Sequence, residues 1–177
     1  MNMQIIEQYR QLHEHKHYGW ESELEATKYA AIISERGVNT VLDYGSGQSR
    51  LAYMLPCEGK RYDPAIEGID TPPEEPVDMI LCTDVLEHIP DEDLDEVFAN
   101  IAKLADTALF VIHLGKAKNK LPNGDNCHCT VMPEDWWFER IKGKFDDVTV
   151  IESTEMKTLI LAQNKEQGNG KDKKATD

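Results

Sequence analysis

The segment Val41–Gly47 constrains the fold of this chain more than any other segment does. It reads V-L-D-Y-G-S-G, so two apolar residues lead into an acid and then into two glycines one residue apart. Residues 48–55 follow with a composition typical of a helix. Because glycine lets the backbone approach a ligand without a Cβ in the way, a strand that ends in such a turn forms a ligand-binding crevice. The pattern predicts an α/β fold with a site at the end of this strand.

Two familiar nucleotide-binding loops do not fit this spacing. A dinucleotide fingerprint needs a third glycine three residues after Gly47, and that position is Arg50. A P-loop needs Gly-Lys-Ser/Thr at the close of the turn, and the chain has none there. The ligand of the turn therefore need not be a phosphate.

Two later segments place further acids at suitable distances. Asp63 ends the short segment Arg61–Asp63, about 20 residues after the first acid, as ribose-binding acids do in Rossmann-like sites. Residues 77–90 read V-D-M-I-L-C-T-D-V-L-E-H-I-P, in which the apolar run at 77–82 is closely followed by Asp84. Such a run is typical of a strand that is buried on both faces of a parallel sheet.

Together these three motifs resemble the class I S-adenosylmethionine-dependent methyltransferases, whose first motif is a strand ending in Asp/Glu-x-Gly-x-Gly. The resemblance covers residues 20–163. It implies a three-layer, Rossmann-like α/β sandwich with a mostly parallel sheet that ends in an antiparallel hairpin. The chain departs from the family between Asp63 and Val77, where 13 residues with four prolines replace the usual third strand and its helix.

The length predicts one domain, the C-terminal composition predicts a tail, and the resemblance implies an N-terminal cover over the cofactor. Residues 1–20 form an N-terminal helix and linker that cover the site, residues 21–163 form the methyltransferase-like domain, and residues 164–177 form a disordered tail. Helices are predicted over 3–15, 21–36 and 47–55, after a cap at Asp91, and from Pro133. Strands are predicted over 39–43, 60–63, 77–82 and 107–112, with a final hairpin of 148–152 and 158–163.

The net charge and the cysteine spacing indicate which substrates and which cellular compartment to expect. The 177 residues carry 19 basic and 33 acidic side chains, a net charge of −14, which repels a phosphate backbone and makes nucleic acid an unlikely substrate. No apolar run that could be a signal peptide or a membrane span opens the chain. The four cysteines do not have the spacing of a disulfide framework, which favours the cytoplasm. A protein partner could use the acidic surface.

By resemblance, S-adenosylmethionine would lie along the ends of the first strands. Asp43 and the glycine turn would hold its methionine and ribose end, and Asp63 would accept hydrogen bonds from the ribose hydroxyls. Asp43 could instead cap a helix, and Asp63 could be an ordinary turn acid. Ile66, Ile69 and Asp70 are candidates for the adenine contact. The full set of cofactor-binding candidates is Asp43, Tyr44, Gly45, Ser46, Gly47, Asp63, Pro64, Thr83 and Asp84.

Four side chains are candidates for catalysis: Asp84, His88, His113 and His128. Methyl transfer from a sulfonium is an in-line displacement that depends mostly on positioning, and a general base matters for a poor nucleophile such as a hydroxyl. His113 is the first choice because an apolar strand delivers it to the carboxyl edge of the sheet. It could also be a histidine that is merely hydrogen-bonded at a strand end, and Glu87 and His88 could cap the following loop.

The polar loop 121–130 has three interpretations. It could be a substrate lid that is lined by Asn126 and His128 and backed by Trp136 and Trp137, or it could be an ordinary surface loop. It could also bind a metal through Asp125, Cys127, His128 and Cys129. Structural zinc sites usually pair two Cys-x2–4-Cys elements, and this loop has a single Cys-x-Cys. The sequence therefore predicts no metal.

The resemblance implies a methyltransferase that acts on a small or medium-sized soluble acceptor or on a protein side chain. Residues Thr83–Leu86 stand where nucleic-acid amino-methyltransferases carry an Asn/Asp/Ser-Pro-Pro-Tyr/Phe motif, so base methylation is disfavoured. The alternative is a non-catalytic module that binds S-adenosylmethionine or a protein partner. A nicotinamide-dependent enzyme is disfavoured by Arg50.

Overall fold

The computed structural model describes residues 3–164, so the predicted tail lies outside the described residues except for Asn164. Within that range the helices are α1 (Met3–His15), α2 (Trp20–Leu24), α3 (Ala26–Glu35), α4 (Asp91–Leu104) and α5 (Glu134–Lys142). The strands are β1 (Thr40–Tyr44), β2 (Glu58–Tyr62), β3 (Met79–Thr83), β4 (Thr107–His113), β5 (Asp147–Ser153) and β6 (Lys157–Gln163).

The six strands form one sheet in the order β2-β1-β3-β4-β6-β5. Strands β2, β1, β3 and β4 are parallel, whereas β6 runs antiparallel to β4 and β5 antiparallel to β6. The predicted mostly parallel sheet with a terminal antiparallel hairpin is confirmed.

Helices cover both faces of the sheet. Along β4, Ala108, Phe110 and Ile112 point to the face that packs against α4 and α5. Leu109 and Val111 point to the other face, which packs against α3. This alternation follows from the two-residue period of a strand. The predicted three-layer sandwich is confirmed.

The strand order creates a crevice between β1 and β3. From β1 the chain moves outward to β2, then returns to the other side of β1 to form β3. The connections therefore diverge at this point, and ligands of open α/β sheets bind in such a crevice beyond the carboxyl ends of the strands.

The predicted helix over 47–55 is wrong, because the structure has only a short 3-10 turn at Leu51–Tyr53. The amide of Gln48 donates to the Tyr18 carbonyl at 3.0 Å, and the amide of Arg50 donates to Glu23 Oε1 at 2.8 Å. These amides bond to distant residues instead of forming helical bonds. Pro56 also restricts the end of the segment.

Two other helix boundaries differ from the sequence prediction. The predicted helix 21–36 is divided at Glu25, whose φ of −95° and ψ of 4° end α2 before α3 begins. Asp91 does not cap α4; it is the first helical residue after Pro90, and its carboxylate is 3.0 Å from Arg140 Nη1.

The connection from β2 to β3 holds no helix and no strand, as its prolines and its length predict. It leaves β2 as an edge strand beside the glycine turn. Within residues 3–164, we find no helix with the length and apolar character needed to cross a bilayer.

Candidate active site

A cavity of about 600 Å³ lies at the carboxyl ends of β1 to β4, which is within the usual size range of small-molecule sites. Of the residues predicted for the site, the cavity is lined by Tyr44, Gly45, Ser46, Gly47, Asp63, Pro64, Thr83, Asp84, His88, His113 and His128. Asp43 is the predicted site residue that it does not include. The three adenine candidates, Ile66, Ile69 and Asp70, are not part of the lining either.

The glycine turn is held rigidly against the end of β2. The amides of Gly45 and Ser46 both donate to the Tyr62 carbonyl, at 2.8 and 3.1 Å. Arg61 Nη2 donates to the carbonyl of Gly47 at 2.6 Å. Because these backbone groups already have partners, the turn forms a wall of the cavity and is not an anion-binding nest.

Asp63 joins this turn to the loop that follows β2. Its Oδ2 accepts the amide of Gly47 at 2.7 Å, and its Oδ1 accepts the amide of Ala65 at 2.8 Å. A carboxylate has about four acceptor positions, so these two bonds leave capacity for a ligand. The side chain is mostly buried and lines the cavity.

Asp43 lies beneath the turn, away from the cavity. The residue is 1% exposed, and its Oδ2 has no hydrogen-bond partner within residues 3–164. Burial raises the pKa of Asp43 to about 7, although the charge of Arg61 opposes the rise. Since no helix follows the turn directly, the alternative role as a helix cap does not apply.

We expect Asp43→Asn to gain stability relative to the parent protein as the pH rises from 5 to 8. The unfolded carboxyl group loses its proton near pH 4 and the folded one near pH 7, so the parent loses folding stability across this window. Asparagine does not titrate. The difference in free energy of unfolding should therefore change by on the order of 2 kcal/mol, measured by urea unfolding at both pH values.

Asp78→Asn is the matched control for this titration. The backbone amide of Asn39 donates to Asp78 at 2.8 Å and lowers the pKa of that carboxyl group. Asp78 is therefore ionised in the folded and the unfolded protein at pH 5 and above, so its effect should not vary between pH 5 and 8. Parallel pH profiles of Asp43→Asn and the parent would contradict the prediction.

Asp84 begins the other half of the site, where β3 ends. Its φ is 59°, a left-handed conformation that residues other than glycine rarely adopt, and its amide donates to the Val111 carbonyl at 2.9 Å. Strained backbone of this kind is concentrated at functional sites. Although burial would raise it, the pKa of Asp84 is lowered overall by the hydrogen bond from His88 and by the positive charges that His88 and His113 carry when they are protonated.

Three imidazoles converge on Asp84. The Nε2 atoms of His113, His88 and His128 lie 3.5, 3.6 and 3.9 Å from its Oδ1. His113 ends β4, His88 follows β3, and His128 is supplied by the loop after β4. The structure thus brings together all four residues that the sequence predicts for catalysis.

Hydrogen bonds orient two of these imidazoles. The Tyr9 hydroxyl donates to the Cys127 carbonyl at 2.8 Å, so its oxygen accepts from His88 Nδ1, which is 2.7 Å away. The Nδ1 of His128 donates to the carbonyl of Gly115. In the neutral form of either ring, a proton on Nδ1 directs the Nε2 lone pair at the cavity. Burial lowers the pKa of His128, which favours this neutral form.

The sequence prediction omitted Glu87 from the site, but this residue lies directly behind the histidines. Glu87 is fully buried, and its Oε1 accepts the backbone amide of His113 at 2.7 Å. In the described part of the chain, its Oε2 has no hydrogen-bond partner. Burial and the charge of Asp84 raise the pKa of Glu87 well above its usual range.

The loop before α5 contributes to the site through His128, but not through Asn126. The Asn126 side chain bonds to both the amide and the carbonyl of Ala117, at 3.0 and 2.8 Å, and so fixes the shape of the loop. The predicted backing by the two tryptophans is wrong. Trp137 is fully buried in the core against α4, Trp136 packs at its edge, and neither lines the cavity.

Helix α1 lies across the cavity and supplies residues that the sequence prediction missed. Ile5, Tyr9 and His13 all line the cavity. Their spacing of four residues places them on one face of a helix, a signal that was available in the sequence. The carbonyl of His13 also accepts from the Gln48 side chain at 3.4 Å, which connects α1 to the segment after the glycine turn.

Solved structures with the same fold were found by comparison. The structure described as the DhpI-SAH complex has a TM-score of 0.67 and 14% sequence identity, covering 94% of this chain and 100% of that one. The Burkholderia thailandensis 1,6-didemethyltoxoflavin-N1-methyltransferase, with its substrate and S-adenosylhomocysteine bound, has a TM-score of 0.56 and 18% identity over 82% and 80% of the two chains.

A third similar structure is the N-terminal domain of EvdMO1 in the presence of SAH and D-fucose, with a TM-score of 0.56 and 12% identity over 79% of this chain and 82% of that domain. No protein-family model and no sequence among the curated proteins matches the chain. The architecture is that of the class I S-adenosylmethionine-dependent methyltransferases.

Proposed function

We propose that this protein transfers a methyl group from S-adenosylmethionine to a small or medium-sized soluble acceptor by in-line displacement. One observation carries the proposal: a single cavity joins the glycine turn and Asp63 on one side to Asp84 and the three histidines on the other. The first side suits the cofactor, and the second suits an acceptor that must lose a proton.

The cofactor would lie along the ends of β1 and β2. Asp63 has acceptor capacity for the ribose hydroxyls, and Gly45 and Gly47 let the backbone pass close to the methionine end. Helix α1 and the segment Tyr18–Trp20 would cover the bound cofactor, since both line the same cavity. Free thiols at all four cysteines support the cytoplasm as the location.

The acceptor would lie beside Asp84 and His113. A hydroxyl acceptor would transfer its proton to His113 Nε2 as its oxygen attacks the methyl carbon. The carbon–sulfur bond breaks, its electron pair stays on sulfur, and S-adenosylhomocysteine leaves as the neutral thioether. The chain itself supplies orientation and a proton acceptor, which are the two contributions that this reaction needs.

Calorimetry with S-adenosylmethionine and S-adenosylhomocysteine tests the first half of the proposal. We expect both to bind to one site per chain, and no binding at millimolar concentration would overturn it. Methyl transfer from radiolabelled cofactor to a panel of small hydroxylated acceptors tests the second half. Cofactor binding without turnover on any acceptor would favour the non-catalytic module instead.

We expect His113→Gln to lower kcat by about 100-fold or more with an active acceptor, because the proton acceptor is lost. The backbone amide of residue 113 would still bond to Glu87, so the affinity for S-adenosylhomocysteine should not change. His15→Gln is the control, since His15 is exposed and does not line the cavity. An unchanged kcat in His113→Gln would exclude His113 as the base.

A further inference from the structure

The donor atoms around Asp84 are arranged as a set of metal ligands. Asp84, Glu87, His88 and His128 each offer one carboxylate oxygen or imidazole nitrogen, and these four atoms lie within 4.8 Å of one another. Two ligands that are each about 2.1 Å from one ion can be separated by at most about 4.2 Å, so small side-chain movements would complete the set.

Hydrogen bonds on the outer nitrogens of two imidazoles orient both rings toward a common centre. The Nδ1 atoms of His88 and His128 are hydrogen-bonded to the Tyr9 hydroxyl and to the Gly115 carbonyl, so both Nε2 atoms face the carboxylate of Asp84. When both imidazoles are neutral, their Nε2 lone pairs and the Asp84 carboxylate repel one another, and a positive ion between them removes that repulsion. Hydrogen bonding of the distal ring nitrogen is also the usual way in which proteins orient a metal-binding histidine.

Glu87 supplies independent support for an ion. It is fully buried, and its Oε2 has no hydrogen-bond partner among the described residues. A buried carboxyl group with one oxygen left unsatisfied is costly, and coordination to a metal ion would satisfy that oxygen once the group has lost its proton. The folded chain holds this oxygen in place because the other oxygen of Glu87 accepts the His113 amide.

We propose that Asp84, Glu87, His88 and His128 bind a divalent first-row transition-metal ion at the acceptor end of the cavity. Two imidazoles and two carboxylates suit ions such as Mn²⁺, Fe²⁺, Co²⁺ and Zn²⁺, whereas Mg²⁺ and Ca²⁺ prefer all-oxygen sites. The loop residues Cys127 and Cys129 are not part of this set, so it differs from the metal site considered for loop 121–130.

This assignment deepens the proposed function and rests on it for the choice of acceptor. An ion at this place would bind the acceptor oxygen and lower the pKa of its hydroxyl group. The proton would leave to His113 Nε2, and the oxygen would form its bond to the methyl carbon as the carbon–sulfur bond breaks. The substrate class is therefore a small molecule with a hydroxyl group that can coordinate a metal.

Titration of the full chain with CoCl2 tests the site without any need for an acceptor. We expect one Co²⁺ per chain by calorimetry, with visible d–d absorption that reports nitrogen and oxygen ligands, and much weaker binding of Mg²⁺ and Ca²⁺. Glu87→Gln keeps the shape of the side chain and the acceptor for the His113 amide, so it should fold, yet bind Co²⁺ at least about 10-fold more weakly. Asp84→Asn should behave in the same way.

His15→Gln is the control, and it should bind Co²⁺ as the parent does. Absence of Co²⁺ binding at millimolar concentration would overturn the inference, and so would equal affinity in Glu87→Gln, Asp84→Asn and the parent. A separate measurement of S-adenosylhomocysteine binding in the presence of a chelator distinguishes failure of the metal site from failure of the proposed function. Cofactor binding without metal binding rejects the metal site alone, whereas metal binding without cofactor binding rejects the proposed function.

Discussion

Replacement of Asp63 by alanine should weaken the binding of S-adenosylhomocysteine by about 100-fold or more. The carboxylate is expected to accept hydrogen bonds from the ribose, and hydrogen bonds to a charged group contribute about 1.5–3 kcal/mol each. The same substitution releases the amide of Gly47, which Asp63 Oδ2 accepts at 2.7 Å, so the turn would lose an anchor as well. Calorimetry at constant pH measures the affinity.

Asp70→Ala is the matched control for this loss. Asp70 is an exposed acid on the same connection, and it does not line the cavity. We expect its replacement to leave the affinity unchanged. Equal affinity in Asp63→Ala and the parent would show that Asp63 is an ordinary turn acid, and a loss in Asp70→Ala would return it to the adenine candidates.

Replacement of Gly45 by alanine should lower the free energy of unfolding by about 3 kcal/mol. Gly45 has a φ of 75°, which disfavours any residue with a Cβ by about 1–2 kcal/mol. The added Cβ would also lie only 2.6 and 2.7 Å from the two methyl carbons of Val85, and overpacking of this kind costs about 1–3 kcal/mol. Chemical denaturation measures the sum.

Two further variants separate the cost of the positive φ from the cost of the close contact with Val85. Gly37 has a similar φ of 63°, and no neighbouring atom of the described residues lies within 4 Å of an added Cβ, so Gly37→Ala should show the backbone cost alone. Val85→Ala should relieve the clash and recover part of the stability in the double variant with Gly45→Ala. Equal losses in Gly45→Ala and Gly37→Ala would contradict a close contact between the turn and Val85.

The parts of the fold that depend on local patterns were predictable from the sequence. The apolar run before Asp84 indicates a strand buried on both faces, and β3 lies there. The convergence of His88 and His113 was also predictable in outline, because parallel strands present their carboxyl ends at one edge of the sheet. His128 was included because its loop follows β4.

The sequence predictions that are wrong or incomplete concern contacts between segments that are distant in the chain. The segment after the glycine turn has a helical composition, but its amides bond to Tyr18 and Glu23, which local periodicity does not reveal. Which of the two acids, Asp43 or Asp63, faces the cavity depends on how β2 docks beside β1. Likewise, Tyr9 reaches His88 only because α1 crosses the site.

The close approach of Gly45 to Val85 has a thermodynamic consequence. Val85 follows Asp84, so the glycine turn on the cofactor side lies directly against the neighbour of the first acceptor-side residue. A displacement of the turn by one ligand would therefore move the groups that meet the other ligand. Linkage then requires reciprocity: by whatever factor the bound cofactor changes the affinity for the acceptor, the acceptor changes the affinity for the cofactor by the same factor.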